Sequence, residues 1–398
     1  MAEKLGDLLR DAGHLAHNWV GYYSGPPLEH VKQLHGNRSR RCIRSLHKTS
    51  GFLGLQEFIP WEYAVFKKYE HLYDIIHVHD IIQTASPITI RLMQQKTPVV
   101  ITLHDCSFIT GGCIQPLDCK SYPKCGKFCP EHGYWPMAGK INCTRLMQRL
   151  KKFLWLNSRI TFAAPSLWMA EQARIRKMTP MPVRHIPNCV ETDIFTPVKN
   201  KASLRYQLGL PQKVPIAVIS SGSLKDRYKG VAYAIQAMHQ VIPVPFVLLI
   251  GKDKAPLKHL EGLDWKQTGY ISDRRFLSDF FKAADFFVHS PLADNQPLVT
   301  LEALSSGLPV AAFATGGIPE YIIDGFNGFL SKTRDAPGLA KKITRLLKNP
   351  TALKKMGLNS RNYALQTFSP SEFLENHLEL YKELTAMGSF QSIAGLQL

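Results

Sequence analysis

Acidic residues are scarce in this chain. Its 31 Asp and Glu stand against 49 Lys and Arg, a net charge of +18 over 398 residues. Such an excess favours anionic partners: phosphorylated substrates, an acidic membrane surface or nucleic acid. No basic motif interleaved with aromatics and no recognition-helix pattern occurs, so nucleic acid is not expected. Long apolar runs are also missing. None approaches the ~18 residues that a membrane span requires, and the N-terminus has no charged-then-apolar leader. The expectation is therefore a cytoplasmic protein. Repeats of solenoid type are absent too.

What is present is an alternation of short apolar runs with helical patterns, at a length that favours two domains. In the second half, Ile216–Ser221, Phe246–Ile250, Phe286–His289 and Val310–Phe313 read as buried strands. Val231–Gln240, Arg274–Ala284 (with Phe276, Phe280 and Phe281 inward), Ala336–Lys348 and Ser371–Thr385 read as helices, followed by a loose tail. This spacing predicts parallel sheets covered on both faces. The first half reads more irregularly. It opens on an amphipathic helix over Ala2–His14 where an α/β domain ordinarily opens on a strand and a glycine loop, so that strand and loop are expected to be missing. A cluster of Arg38, Arg40, Arg41 and Arg44 follows, then strands at Ile75–His79 and Val99–His104. Residues 141–156 form a basic amphipathic helix with two readings: a core helix with a solvated face, or a contact with an anionic bilayer surface.

The chemistry concentrates between Phe286 and Phe329. Asp294 precedes a helix that Pro297 suits in its first turn, and Glu302 lies about two turns further on. The mouth of such a helix attracts phosphate, and nearby carboxylates accept from sugar or ribose hydroxyls. Phosphate together with a polyol suggests a nucleotide-sugar. Elsewhere Cys113, Cys119, Cys125 and Cys129 form a C-x5-C-x5-C-x3-C run. A structural zinc ion, free or redox-sensitive thiols, and disulfides are the three readings of it.

The pattern Asp294 … Glu302, Ser306-Gly307-Leu308-Pro309-Val310 and Gly316-Gly317-Ile318-Pro319-Glu320 resembles the donor-binding core of retaining glycosyltransferases of family four (group 1). Ala164-Pro165-Ser166, Ile186-Pro187-Asn188 and Ser221-Gly222-Ser223 with Lys229-Gly230 extend the likeness over nearly the whole chain. The insertion after His104-Asp105 is similar to that of bacterial exopolysaccharide and colanic-acid-type transferases. The resemblance implies an α/β GT-B fold of two facing Rossmann-like domains. These would be an acceptor-side domain over 1–195 with a cysteine-rich insertion at 106–136, and a nucleotide-sugar domain over 196–366. A helix over 367–387 would cross back to the first.

The resemblance also implies site roles. His104 and Asp294 would position the donor sugar, Glu302 would hold the ribose, and Lys229 would stabilise the departing diphosphate. Gly222, Ser223, Arg227, Asn295, Pro297, Gly316 and Gly317 would complete the donor site. Asp294 stands where the family usually has Glu, and Ser223 where it often has Arg, which leaves Arg227 or Lys225 to substitute. No Asp-x-Asp triplet occurs, so no catalytic cofactor is expected. The implied activity is transfer of a hexose-type sugar, with retention, to a glycan or lipid-diphosphate-linked acceptor in polysaccharide synthesis, with the enzyme peripheral at the inner face of the cell membrane. The alternatives are a truncated or degenerate homologue that binds without turnover, and a sugar-nucleotide epimerase.

Overall fold

The computed structural model describes the chain except residues 22, 35–44, 47, 48, 56, 57, 83, 120, 122, 127, 138, 255–258 and 395–398, and the side chains of 387–394. The arginine cluster at Arg38, Arg40, Arg41 and Arg44 lies outside the described residues. The chain divides into two units, Met1–Ile186 with Leu374–Leu398, and Pro187–Phe373. The junction falls before the 195/196 boundary read from the sequence because Val190 and Phe195 are buried in the core of the second unit. The Val190 amide also donates to the Phe368 carbonyl there.

The first unit opens on helix α1 (Ala2–Asp11), and strands β1 (Asn18–Val20) and β2 (Val31–Gln33) then pair in parallel in a sheet of their own. After α2 (Tyr63–Tyr69), the main sheet is built from β3 (Ile76–Val78), α3 (Pro87–Met93), β4 (Val99–Thr102), α4 (Thr144–Leu156), β5 (Thr161–Ala164), α5 (Leu167–Ile175) and β6 (Arg184–His185). Its four strands are parallel and lie in chain order. Val99, Val100 and Ile101 are buried, which fits a strand covered on both faces. α3 starts where Ser86 accepts the Ile88 amide and Pro87 follows at the first helical position, where a missing N–H costs nothing.

The second unit contains α6 (Lys201–Gln207), β7 (Ile216–Ser223), α7 (Val231–Met238), β8 (Phe246–Lys252), β9 (Trp265–Gln267), α8 (Arg274–Ala283), β10 (Phe286–His289), α9 (Leu298–Ser305), β11 (Val310–Phe313), β12 (Gly328–Ser331), α10 (Ala336–Leu347) and α11 (Pro350–Thr367). Its six parallel strands run β12-β11-β10-β7-β8-β9. Chain order therefore reverses between β7 and β10, and a crevice at the carboxyl ends of those two strands is where open α/β sheets bind ligands. One apolar cluster around Phe281, Phe287, Leu301 and Leu304 and another around Ile235, Leu249, Phe313 and Leu339 fill the two faces of the sheet.

The last helix, α12 (Pro370–Ala394), runs on into the stretch read as a loose tail. One other expectation is corrected: Phe276 points outward at 48 % exposure, since α8 turns Phe280 and Phe281 inward instead. The Gly316-Gly317 turn leads into a single 3-10 turn at Ile318–Glu320.

Candidate functional site

In the second unit the loop after β10 is held from both sides. Tyr228 accepts the Leu292 amide at 2.7 Å, and Ser290 Oγ donates to the Gly230 carbonyl at 2.9 Å. Thr315 Oγ1 donates to the Pro291 carbonyl at 3.1 Å. Glycine is needed where this loop meets its neighbours. A Cβ on Gly316, which has φ +59°, would lie 1.7 Å from the Asp294 carbonyl oxygen. A Cβ on Gly230, at φ +58°, would lie 2.0 Å from that of Ser290. Both backbones sit in the left-handed region as well, so the glycine turn fixes where Asp294 stands. Gln296 closes the far side by accepting the Asn188 amide at 2.6 Å.

So placed, Asp294 accepts a charged hydrogen bond from Lys229 Nζ at 2.7 Å. Its Oδ2 also lies 3.4 Å from His289 Nε2. Burial opposes ionisation of Asp294, but the Lys229 ammonium and His289 outweigh it and hold the carboxyl down at about 2. Burial likewise opposes the charge on Lys229, and the Asp294 carboxylate overrides it to raise that pKa. Burial, the largest influence on His289, lowers its pKa despite the carboxylate. The result is an ion pair with a neutral imidazole at the switch point of the sheet.

Glu302 projects from α9, a helix buried over Thr300–Ser305. Its Oε1 accepts from Arg274 Nη1 at 2.6 Å, and Arg274 Nη2 donates to Glu191 at 2.6 Å. The Arg274 guanidinium also lies 4.7 Å over the Phe195 ring. Glu302 Oε2 is buried without a hydrogen-bond partner. Burial, aided by the Glu191 carboxylate, raises the pKa of Glu302 against the opposing pull of Arg274. A buried carboxylate oxygen with no donor is costly to leave so, and a ligand hydroxyl would satisfy it.

The remaining donor-side residues are spread around this centre. Gly222 and Ser223 end β7, and Ser223 Oγ donates to Asp253 at 2.6 Å. Arg227 lies over the Tyr228 ring at 5.5 Å. Asn295 is buried, and its amide donates to Asp294 Oδ1 at 3.0 Å. Pro297 caps α9 rather than occupying its first turn. Gly317 follows Gly316 in the turn after β11.

In the first unit, His104 lies just beyond β4 in a column of imidazoles. His79 Nδ1 and His104 Nε2 are 2.9 Å apart, and His77 and His79 stack at 4.2 Å. His77 also meets Thr102 at 2.7 Å and Tyr381 of α12 at 2.6 Å, with His377 beside it. Asp105, next in the chain, accepts the Ser107 amide at 2.7 Å. Burial drives the His104 pKa down to about 3, and burial lowers His77 and His79 well below the ordinary value.

Cys113, Cys119, Cys125 and Cys129 line one small cavity, with Arg176 in its wall. Burial raises the pKa of Cys113, Cys125 and Cys129. Among the described residues no group of three or more His, Cys, Asp or Glu side chains is placed to hold a metal ion. In the structure they stand as free cysteines.

Sequence reasoning missed His289, Arg274 and Glu191. Each sits in an ordinary strand, helix or loop pattern: His289 meets Asp294 across the short loop after β10, while tertiary packing brings Arg274 and Glu191 to Glu302.

Comparison with known proteins places both units. Residues 2–194 match the family model described as Glycosyltransferase Family 4, and residues 215–349 the one described as Glycosyl transferases group 1. Among curated proteins, the α-maltose-1-phosphate synthase of Mycolicibacterium smegmatis is 27% identical over 52% of this chain and 59% of its own. The D-inositol 3-phosphate glycosyltransferase of Xylanimonas cellulosilytica is 29% identical over 50% of this chain and 51% of its own. The chain thus spans between half and three fifths of the length of these relatives. Among solved structures, a sucrose-phosphate synthase from Thermosynechococcus elongatus superposes with a TM-score of 0.73 at 24% identity, over 96% of this chain and 92% of that one. Anabaena HepE in complex with UDP superposes with a TM-score of 0.63 at 19% identity, over 81% and 82%. At those identities the likeness establishes the fold, which is GT-B.

Proposed function

Because the chain belongs to the group 1 glycosyltransferases of the GT-B fold, we propose that it transfers a hexose-type sugar from a nucleoside diphosphate donor to an acceptor hydroxyl with retention of anomeric configuration. The observation that carries this reading is the orphaned, buried Glu302 Oε2 on α9, the helix that follows the loop carrying Asp294 of the Lys229–Asp294 pair. A ribose hydroxyl donates to Glu302, whose other oxygen Arg274 holds in place. Lys229 exchanges part of its bond to Asp294 for the donor diphosphate and offsets the negative charge that develops as it leaves. Asp294, ionised and fixed by the glycine turn, accepts from sugar hydroxyls. In the first unit, the His104 imidazole is neutral and hydrogen-bonds a substrate hydroxyl. The acceptor hydroxyl attacks from the face the diphosphate leaves, and its proton leaves with the diphosphate. The acceptor is a glycan or a lipid-diphosphate-linked glycan, in polysaccharide synthesis. The UDP held by one structural neighbour, Anabaena HepE, makes a uridine diphosphate sugar the first donor to try.

The test is calorimetric titration of a nucleotide-sugar panel together with product analysis by NMR, with EDTA present. Wild type should bind at least one donor, and Glu302→Gln should weaken it about tenfold or more through the lost ribose bond. The product should keep the donor's anomeric configuration, and EDTA should leave the rate unchanged. Equal and negligible affinity of both proteins for every donor would refute the donor site. Binding without product would favour the non-transferring homologue, and an epimerised nucleotide-sugar would favour the epimerase.

A further inference from the structure

The imidazole column beside β4 includes a ring, His79, that the transfer step leaves unused. His77 and His79 alternate onto one face along and just beyond β3, and Thr102 and His104 do the same for β4. The two strands are parallel, with His77 in register with Val100. Each of the first two imidazoles meets the residue 25 positions on, one pleat further along the neighbouring strand. His77 Nε2 lies 2.7 Å from Thr102 Oγ1, and His79 Nδ1 lies 2.9 Å from His104 Nε2.

The rings are also fixed in plane. His77 Nδ1 is 2.6 Å from the Tyr381 hydroxyl, so hydroxyls hold both of its nitrogens. His79 stacks on that ring at 4.2 Å and 25°, and His104 continues the stack at 5.2 Å and 18°. Burial lowers the pKa of all three, so the rings are neutral at physiological pH. Two neutral imidazoles share a hydrogen bond only if one supplies the proton and the other a lone pair. The other nitrogen of His79, Nε2, makes no hydrogen bond among the described residues. If His79 accepted at Nδ1, its own proton would sit on Nε2 without a partner. If it donates, Nε2 keeps only a lone pair. An N–H left without an acceptor is the costlier of the two.

We propose that His79 is a positioning residue that fixes the tautomer of His104: its Nδ1–H donates to His104 Nε2, so His104 carries its proton on Nδ1 and addresses a substrate oxygen as a hydrogen-bond donor. The proposal rests on the role given to His104 above. In an imidazole, the hydrogen bond made by one nitrogen decides what the other presents. A His104 able to change tautomer would offer that oxygen a lone pair in part of the population, and those molecules would lose the bond. His77, clamped by Thr102 and Tyr381, backs the His79 ring and keeps its Nδ1 aimed at His104.

The first experiment needs no substrate. It is long-range proton–nitrogen correlation NMR of the full chain with isotope-labelled histidine, the His104 signals being identified by their loss in His104→Gln. The wild type should show both His79 and His104 protonated at Nδ1. His79→Phe keeps a ring in the stack but has no N–H, and should move the His104 proton to Nε2 in a large part of the population. His79→Asn, whose amide donates from nearly the same point, should hold it at Nδ1. Kinetics with a nucleotide-sugar should divide in the same way. His79→Phe should lower kcat/KM about tenfold, the upper end of what one hydrogen bond contributes, and leave affinity for the sugar-free nucleoside diphosphate unchanged. His79→Asn should recover most of that loss. Protonation of wild-type His104 at Nε2 overturns the proposal. So does a His79→Phe protein with the wild-type tautomer and rate, or a His79→Asn protein impaired as much as His79→Phe. Absence of turnover by the wild type would refute the transfer reading alone, since the NMR result decides the tautomer without it.

Discussion

Removing Lys229 tests the central ion pair directly. Asp294 is buried, with its side chain 11% exposed, and its nearest cation is the Lys229 ammonium at 2.7 Å. Its carboxyl is held at about 2 against an ordinary value of 3.8. At ~1.4 kcal/mol per pKa unit, that difference contributes about 2 kcal/mol to stability above pH 4, and the contribution is lost as pH falls toward 2. Lys229→Met forfeits it and leaves a buried carboxylate beside a neutral histidine. The loss should therefore reach about 3 kcal/mol, at the lower end of what breaking a buried pair costs, since Lys229 itself is partly exposed. Asp294→Asn with Lys229→Met should recover most of that loss, because no charge remains to be compensated. The assay is urea unfolding of the four proteins of the cycle at pH 7, with donor affinity measured alongside. A coupling energy near zero would refute the argument, since it would mean that solvent, not Lys229, keeps Asp294 ionised.

Gly316→Ala should destabilise by about 2–4 kcal/mol, from overpacking against the Asp294 carbonyl and from a left-handed backbone. It should also weaken donor binding, which thermal unfolding and titration would check together. Arg274→Leu should raise the Glu302 pKa further and weaken donor affinity about tenfold, read from a pH titration of binding that shifts upward relative to wild type. In the first unit, the folded His104 pKa of about 3 lies below the ordinary 6.5, so the unfolded chain takes up the proton first. Stability is then full above pH 6.5 and falls as pH drops toward 3, by about 2 kcal/mol at pH 5 for this group alone. His77 and His79 act in the same direction. His104→Gln should flatten the fall between pH 7 and pH 5 by about that amount, and parallel wild-type and variant curves in urea unfolding would count against the buried column.

Much of the architecture is legible in the linear chain. Strands covered on both faces, such as Ile216–Ser221 and Val310–Phe313, must be apolar along their whole length, and a period of continuous apolar residues bounded by turns survives in the sequence. Asp294 and Glu302 are legible for a related reason: their spacing and the glycines after them are local constraints, and the left-handed φ of Gly316 makes one residue type compulsory. Boundaries were harder. Val190 and Phe195 read as the end of the first domain, because their burial comes from the second unit's core, which no local pattern reports. The tail beyond Thr385 read as loose, since weak amphipathicity hides a helix that runs on to Ala394.

The partners of the site residues belong to the tertiary level. Arg274 and Glu191 come from a helix and a loop distant from Glu302 in the chain, and only tertiary packing brings them to it. The same holds in the first unit, where His77, His79, His104 and His377 come from two strand ends and the final helix. Sequence alone determined the two carboxylates, the lysine, the glycine turns and the α/β class, because each is enforced by backbone geometry or by burial along one element. Which charge neutralises which, and which carboxylate oxygen is left without a hydrogen-bond partner, was decided by packing between elements distant in the chain, since hydrogen bonds and ion pairs depend on distances that sequence spacing does not carry.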